Sequence, residues 1–555
     1  MKLIGKFLIL VLTCLFSVSS KAQDYKLTIW NFDKNVVDKI SDAVSIDLFS
    51  DTEIVAFANE REFIEFKKLG IPYKVENLKL VKPKSISKSV KTTDDISQMT
   101  DFSAYPSYDV YIKMMENFHA KFPDITELIE IGTSVQGRKL LVLKISDSQH
   151  EAQNPEFLLT STMHGDELCG YVLMLRFIDF LLNNKDTDSQ VKNILENVVL
   201  YINPLSNPDG TYIGGNDDVS SSQRYNANNE DLNRNFPSIV NSQNSVFQYE
   251  PEVKAMMDFA ENHHFVVSAN IHSGDEVVNY PWDSFYDYEK SLADEDWFVE
   301  VSKKYVELAR IWDPDYMKTV TDEGYVFGSE WYKVKGGRQD YMYWNHRCKE
   351  FTLEVSAVKV LDSDNLTEFW QKNYKSLLGL VESCLQGITG KVTDVSGNNL
   401  EAEIVIKGID ANHSSVFSSD NGLYFRPLLA DKTLEVCAVI DGYETECQTV
   451  TTEKDKLVQL DFVLNEGESL PVSTVLEPQF PTLKIQSDVK NKITVTSNRE
   501  ISCVMIVNSL GNIVLSDKPE TTNAEYSLDN FSDGIYVIKA KSGNYTQTKK
   551  ISIIR

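Results

Sequence analysis

The chain has 555 residues, too many for one ordinary domain, and its 42% hydrophobic content is ample for packed cores, which excludes wholesale disorder. The formal charge of −27 argues against a nucleic-acid binder, which needs a basic face. An acidic chain of this kind fits a soluble exported protein and mildly favours the approach of cationic substrates.

The first segment, "MKLIGKFLILVLTCLFSVSSKAQ", carries Lys2 and Lys6, an apolar run from Phe7 to Val18, and the small-x-small pattern Ser20-Lys21-Ala22. That is the pattern of a secretory signal over 1–22, and it predicts a secreted or cell-surface protein. The run is too short to cross a bilayer comfortably, and no later run reaches about 18 apolar residues, so no transmembrane span is expected. Cys14 leaves with the signal, and Cys169, Cys348, Cys384, Cys437, Cys447 and Cys503 are too sparse for a disulfide scaffold. Cys437 and Cys447 flank Gly442 symmetrically in "LEVCAVIDGYETECQTV", a hairpin pattern. Two readings stand there, a bridge or two unpaired thiols.

Residues 23–100 mix β-like runs ("YKLTIWNF", "EIVAFA") with a helical one ("REFIEFKKLG"), hence a small α+β unit and a linker. The stretch 79–100, "KLVKPKSISKSVKTTDDISQMT", is polar and without apolar periodicity, so it reads as an exposed linker that a protease would cut or as a plain tether. From 101 to 386 helical and strand patterns alternate, which predicts an α/β domain with helices on both faces of a mixed sheet. Its polar clusters follow the strands, where open α/β sheets place their sites. From 387 to 465 short alternating strands split by Gly, Asp and Asn turns predict a β-sandwich. A proline-bearing linker, 466–481, leads to a second set of short strands over 482–555.

The chemistry gathers in the α/β segment. His164 and Glu167 stand three apart where an apolar strand run gives way to a helix, and both suit Zn²⁺, which takes three protein ligands in a catalytic site. His272, ending another apolar strand, offers the third. Arg224, Asp231, Asn233 and Arg234 lie together in "RYNANNEDLNRNFP", and Arg forks onto planar carboxylates. Glu354 sits among apolar neighbours in "EFTLEVS", where a carboxylate is costly unless it has a task. A metal, a carboxylate-binding Arg and an isolated Glu point to a hydrolase acting beside a free carboxyl group.

Eight blocks in order, "YDVYIKMMENFHAKFPDI", "GRKLLVLKISD", "MHGDELCG", "NPDG", "RYNANNEDLNRNFP", "ANIHSGDEVVNYPWD", "WYKVKGGRQDYMY" and "FTLEVS", carry a resemblance to the zinc metallocarboxypeptidases. The regulatory branch of carboxypeptidases M, N, E and D is the most similar. The resemblance implies one Zn²⁺ on His164, Glu167 and His272, with Asp231 orienting a ligand His. It implies Asn233 and Arg234 on the substrate's terminal carboxylate, Arg224 on the scissile carbonyl, Tyr332 as a mobile cover and Glu354 as general base.

Two further residues bear on specificity. In the regulatory branch an Asp eleven positions past the third ligand and a Gln after "GG-x" accompany preference for Lys or Arg, and Asp283 and Gln339 stand at those places. Departures are Arg338, a cation beside the pocket residue that could weaken the preference, and Asp275 and Glu276, which replace small or apolar residues.

The β-sandwich resembles the transthyretin-like module of the same branch, and 482–555 resembles the sorting domain of cargo for the type IX secretion route of Bacteroidota. Together these imply a secreted enzyme acting on peptide or protein C-termini, with the outer-membrane secretion machinery as partner. Two alternatives remain, a zinc amidase on cell-wall or other acyl-amino-acid linkages and a non-catalytic module that binds peptide C-termini. Residues 23–100 read as a removable propeptide or a permanent accessory domain.

Overall fold

The computed structural model describes residues 25–553 except 31, 33–35, 51, 79–89, 241–247, 288, 471, 473–483, 488–491, 509–511, 520, 529–530, 533 and 543–544. The predicted signal segment 1–22, half of the first linker and most of the second lie outside the described residues.

The N-terminal unit is a four-stranded antiparallel sheet, β1 (Tyr25–Trp30), β2 (Ser45–Phe49), β3 (Glu53–Ala58) and β4 (Lys74–Asn77), in the order β2-β3-β1-β4. Two helices pack on it, α1 (Val37–Ala43) and α2 (Glu60–Lys67). Asn59 and Glu62 cap the second reciprocally, the side chain of each accepting from the other's backbone N–H. Phe63 and Phe66 from α2, Ile40 from α1 and Leu27 and Ile29 from β1 share its small core.

Residues 90–100, read from the sequence as exposed linker, differ from that expectation together with the packing of 101–106 beside them. They lie against the catalytic body, where β5 (Thr92–Thr93) pairs in parallel with β6 (Tyr105–Pro106). Thr93 and Met99 are buried there, and Ser363 Oγ accepts from the Lys91 N–H at 2.9 Å. The anchors are Met99, Phe102 and Tyr105, single apolar residues without periodicity, which a pattern search does not see.

The catalytic body is built on an eight-stranded mixed sheet. Its strands are β7 (Thr126–Thr133), β8 (Lys139–Ile145), β9 (Glu156–Ser161), β10 (Val199–Asn203), β11 (Phe265–His272), β12 (Glu276–Tyr280), β13 (Tyr325–Phe327) and β14 (Lys349–Val355). They run in the order β13-β12-β14-β11-β9-β10-β8-β7. The central four, β10, β9, β11 and β14, are mutually parallel. β9 and β11 are buried almost throughout, which is why they read as unbroken apolar runs rather than as alternation.

The helix Tyr108–Lys121 starts at Ser107, whose side chain accepts from Val110 N–H, and buries Tyr108, Tyr111 and Met115 at helical spacing. Helix Cys169–Asn184 is buried on most of its faces. Parallel strands ending at one edge of the sheet deliver their following residues to one place. His164 follows β9, Asn207 follows β10, and His272 and Glu354 sit in register on β11 and β14.

Residues 387–464 form two facing sheets around Ile388, Val392, Ile404, Ile406, Val436 and Phe462. Cys437 and Cys447 oppose each other on adjacent strands and are bridged, which decides between the two readings of that hairpin. The C-terminal segment is again two sheets, of three and four strands, with Ile493, Val495, Val504, Ile506 and Ile538 between them. Among the described residues no helix is long and apolar enough to cross a membrane.

Candidate active site

The loop after β9 turns sharply at Thr162, whose φ of 59° is unusual for a β-branched residue. Glu167 falls in the turn ahead of the helix that starts at Cys169, slightly earlier than the first helical turn. The turn brings Glu167 Oε1 to 2.8 Å from His164 Nδ1, and Glu167 Oε2 lies 2.9 Å from His272 Nδ1. The two Nδ1 atoms are 3.1 Å apart, and all three residues are at least 96% buried.

That arrangement fits a metal ion. Two nitrogens and a carboxylate converge on one point, and donors bonded at about 2.0–2.1 Å in tetrahedral geometry lie about 3.3 Å apart. The outer ring nitrogens are also engaged. His164 Nε2 is 3.2 Å from Asp231 Oδ1, and His272 Nε2 is 2.6 Å from the Asn270 side-chain amide, contacts of the kind that fix ring orientation. Among the described residues one other cluster, Glu435 with Cys437 and Cys447, has donors near enough, but both its thiols are spent on the disulfide.

Charge supports the same reading. Burial opposes ionisation of Glu167, yet His164 and His272 hold its carboxyl well below the usual range. Asp231 is likewise buried and is held well down by Arg224 and His164. Its Oδ2 accepts from Arg224 Nε at 3.0 Å, and Arg224 Nη1 lies 3.5 Å from Glu167 Oε1. Burial pushes the Glu354 carboxyl well up, and the nearby charges of Glu167 and Asp275 add to it.

The same cavity is lined by Asn233, Arg234, Asp275, Asp283, Tyr332 and Glu354. Arg234 donates from Nη1 to the Asn233 carbonyl at 3.0 Å, while its buried Nε and Nη2 have no hydrogen-bond partner among the described residues. Asp283 Oδ1 accepts from Asn279 Nδ2 at 3.0 Å and from Gln339 Nε2 at 2.9 Å. A side chain at Gly328 would come within 2.1 Å of that oxygen, so only glycine leaves room for it.

Arg338 does not act as a pocket cation. It is buried and turned away, its Nε 3.1 Å and its Nη2 3.2 Å from the Glu350 carboxylate, with Nη1 on Thr160 Oγ1. Its charge is therefore neutralised inside the sheet. Asp275 is buried at the rim, with its carboxyl pushed up to about 7 by burial, whereas Glu276 starts β12 and accepts from Ala357 N–H.

Sequence reasoning missed four contributors. Asn279 on β12 and Asn270 on β11 are polar residues in apolar strands, a signal that was there to read. Lys359 and the N-terminal Asp47 gave none. Ser45 Oγ donates to Asp231 Oδ2 at 2.6 Å, and Asp47 pairs with Lys359 and lies 3.8 Å from Arg224 Nη1. Strand β2 thus runs into the cleft, with Ile46 and Asp47 as part of its lining. Around it Ser41 donates to the Lys333 carbonyl, Asp42 pairs with Lys335 at 2.7 Å, and Arg61 pairs with Glu230 at 3.0 Å. About 30 Å³ of free volume remains in the cavity, room for one or two waters and too little for a peptide side chain.

A buried histidine pair with a carboxylate, at the carboxyl edge of a mixed sheet and beside a part-buried Glu and two Arg, defines a metallohydrolase-type centre. The chain belongs to the zinc carboxypeptidase family, whose profile matches residues 111–376. It is 33% identical over 402 residues to the carboxypeptidase N catalytic chain of Mus musculus, covering 65% of this chain and 86% of that one. It is also 32% identical over 465 residues to carboxypeptidase D of Anas platyrhynchos, covering 79% of this chain. The chain spans about a third (32%) of that relative's length. Among solved structures, carboxypeptidase A from Helicoverpa armigera aligns with a TM-score of 0.49 at 19% identity, over 64% of this chain and 96% of that one. The secretion system C-terminal sorting domain matches residues 489–554.

Proposed function

We propose that this chain is an exported zinc carboxypeptidase that releases C-terminal Lys or Arg, and that its N-terminal domain is a propeptide covering the cleft. The observation that carries the reading is the meeting, in one cavity, of the His164–Glu167–His272 donor set, the half-unpartnered Arg234 and the buried carboxylate of Asp283.

His164, Glu167 and His272 would hold the metal, which supplies a Lewis acid that polarises the scissile carbonyl and brings the pKa of water to about 7. Arg234, with Asn233, takes the terminal carboxylate, and its free Nε and Nη2 present the paired donors that a carboxylate accepts. Arg224 faces the oxygen on which charge develops. Glu354 accepts the proton of the attacking water and returns it to the leaving amine. Asp231 holds the His164 ring in orientation. Tyr332 closes over the released residue.

Asp283 recognises the cation of the released side chain, oriented by Asn279 and Gln339. An apolar residue there would leave the buried carboxylate unpaired, which is what makes such a pocket selective. The β-sandwich serves as a transthyretin-like structural module, and the C-terminal domain directs the protein to the outer-membrane secretion machinery for release or surface display.

The test is release of the last residue from paired peptides ending in Arg, Lys, Phe, Leu or Glu, with and without a zinc chelator, before and after cutting at 79–90. Chelator-sensitive release of Arg and Lys from the cut protein is expected. Release of Phe or Leu instead would keep the enzyme and remove the role of Asp283. No release from either form would bring the amidase or the C-terminus-binding module forward.

A further inference from the structure

The carboxylate of Asp47 rests between two cations of the catalytic body, and only one of them is accounted for by the reaction above. Arg224 faces the scissile carbonyl. Lys359 is the other. Its position is fixed by its own backbone, because the Lys359 carbonyl accepts from Leu168 N–H at 2.8 Å and from Ser273 Oγ at 3.3 Å. Leu168 and Ser273 adjoin Glu167 and His272, so the ammonium stands at a set distance from the metal donors. Its stem lies along Gly274, where a side chain would sit in ordinary contact with Lys359 Cε at 3.8 Å.

A bound peptide supplies the geometry that matters. With its last side chain at Asp283, its carboxylate at Arg234 and its scissile carbonyl at Arg224, the residues upstream must leave the cavity past Arg224. That path is the one now filled by the extended segment Ser45–Asp47. Strand β2 therefore lies as a substrate's upstream segment would, and Asp47 shows which side chain the path accepts.

When β2 departs, Lys359 keeps Asp166 at 3.1 Å, while Glu167, 3.9 Å away, is committed to the metal. The ammonium of a side chain that is 18% exposed even with the cover in place loses a carboxylate on one side. We propose that Lys359 is a specificity-determining residue. It receives the carboxylate of an Asp or Glu immediately upstream of the residue released, so that chains ending in an acidic residue followed by Lys or Arg are favoured. This rests on the carboxypeptidase reading and deepens it.

The experiment uses the zinc-loaded full chain after limited cleavage of the lysine-bearing 79–91 segment. The peptides end in Asp-Arg, Glu-Arg, Ala-Arg or Lys-Arg, and kcat/KM is compared within each variant. The native protein is expected to favour Asp-Arg and Glu-Arg over Ala-Arg about three- to tenfold, the size of a partly screened ion pair, and to disfavour Lys-Arg. The preference shrinks in about 0.5 M salt, because the contact opens to solvent. Lys359→Met brings the ratios to about one. Lys359→Glu inverts them, so that Lys-Arg becomes the better substrate, a gain that damaged folding cannot produce; zinc content checks each variant.

Equal rates in the native protein, a native preference for Lys-Arg directed by Asp166 and Asp275, or an acidic preference that survives Lys359→Met would each overturn the assignment while leaving the carboxypeptidase intact. Absence of Arg release from every peptide would overturn the reading beneath it, and this one with it.

Discussion

At the scale of single residues, the site is a set of largely buried charges, several of them held by a particular neighbour. Glu354 is not among the converging metal donors, so Glu354→Gln is expected to lower kcat at least about 10³-fold while zinc content, measured by metal analysis, stays near one per chain. A variant that lost its metal as well would give the carboxylate a ligand's place instead. Asp283 predicts a pH dependence. Burial raises its carboxyl well above the usual range, and Asp340 beside it adds to the shift. The charged form is the one that binds a cation, so KM for C-terminal Arg should fall as pH rises through that elevated pKa. KM for C-terminal Leu should show no such slope. Most of the residues that line this cavity could be singled out in the sequence, because metal and carboxylate chemistry demands rare types at rare spacings. Arg338 was not, since its partner Glu350 lies twelve residues on, across a helix–strand turn that sequence does not fold.

At the scale of elements, the ends of β9, β11 and β14 could be read from their apolar runs, and the loops between them from glycine. Gly165 and Gly210 illustrate it: a side chain on Gly165 would meet the Gly210 backbone at 2.4 Å, so the "MHGDE" and "NPDG" loops touch backbone to backbone. What the sequence could not show is where β2 goes. Its contacts reach residues 186 positions on at Asp231 and more than three hundred on at Lys359, and no periodicity in one unit records the surface of another. Cutting the chain between 78 and 90 should raise kcat/KM on Ala-Arg peptides about tenfold or more as the cover dissociates. Ser45→Ala with Asp47→Ala in the uncut chain should give part of that gain. A cut chain no more active than the uncut one would make the N-terminal domain a permanent accessory.

At the scale of the whole molecule, the β-sandwich is tied to the catalytic body by buried charges rather than by a linker alone. Arg426 of the sandwich lies 2.8 Å from Asp294 of the catalytic body and 2.5 Å from Asp410, and Lys349 lies 2.5 Å from Asp294. Burial opposes ionisation of Asp294, but Arg426 and Lys349 lower its pKa from 3.8 to about 2. A depressed carboxyl stabilises the folded state above its unfolded pKa and loses that contribution as pH falls through the folded value. Asp294 therefore adds about 2 kcal/mol at pH 7, of which about 1 kcal/mol is gone by pH 3. Removing one partner of such a buried network costs about 3–5 kcal/mol. Asp294→Asn should thus lower the thermal midpoint at pH 7 and flatten its fall between pH 7 and 3. An unchanged midpoint would mean the two domains meet without depending on each other. The change from alternating helix and strand patterns to short strands near 387 could be read from the sequence. The joint was not, because its members come from four separate segments.

The grip of β2 has one more consequence. Ser45 and Asp47 hold the N-terminal unit to Asp231 and Arg224, the side chains that the proposed reaction would use. On the proposed propeptide reading, latency and turnover are written on the same atoms and cannot drift apart: any inherited change at Arg224 or Asp231 alters both at once. A lineage that loosened its latch there would weaken its catalyst in the same step, which leaves β2, on the disposable side of the contact, as the place where the timing of activation can change freely.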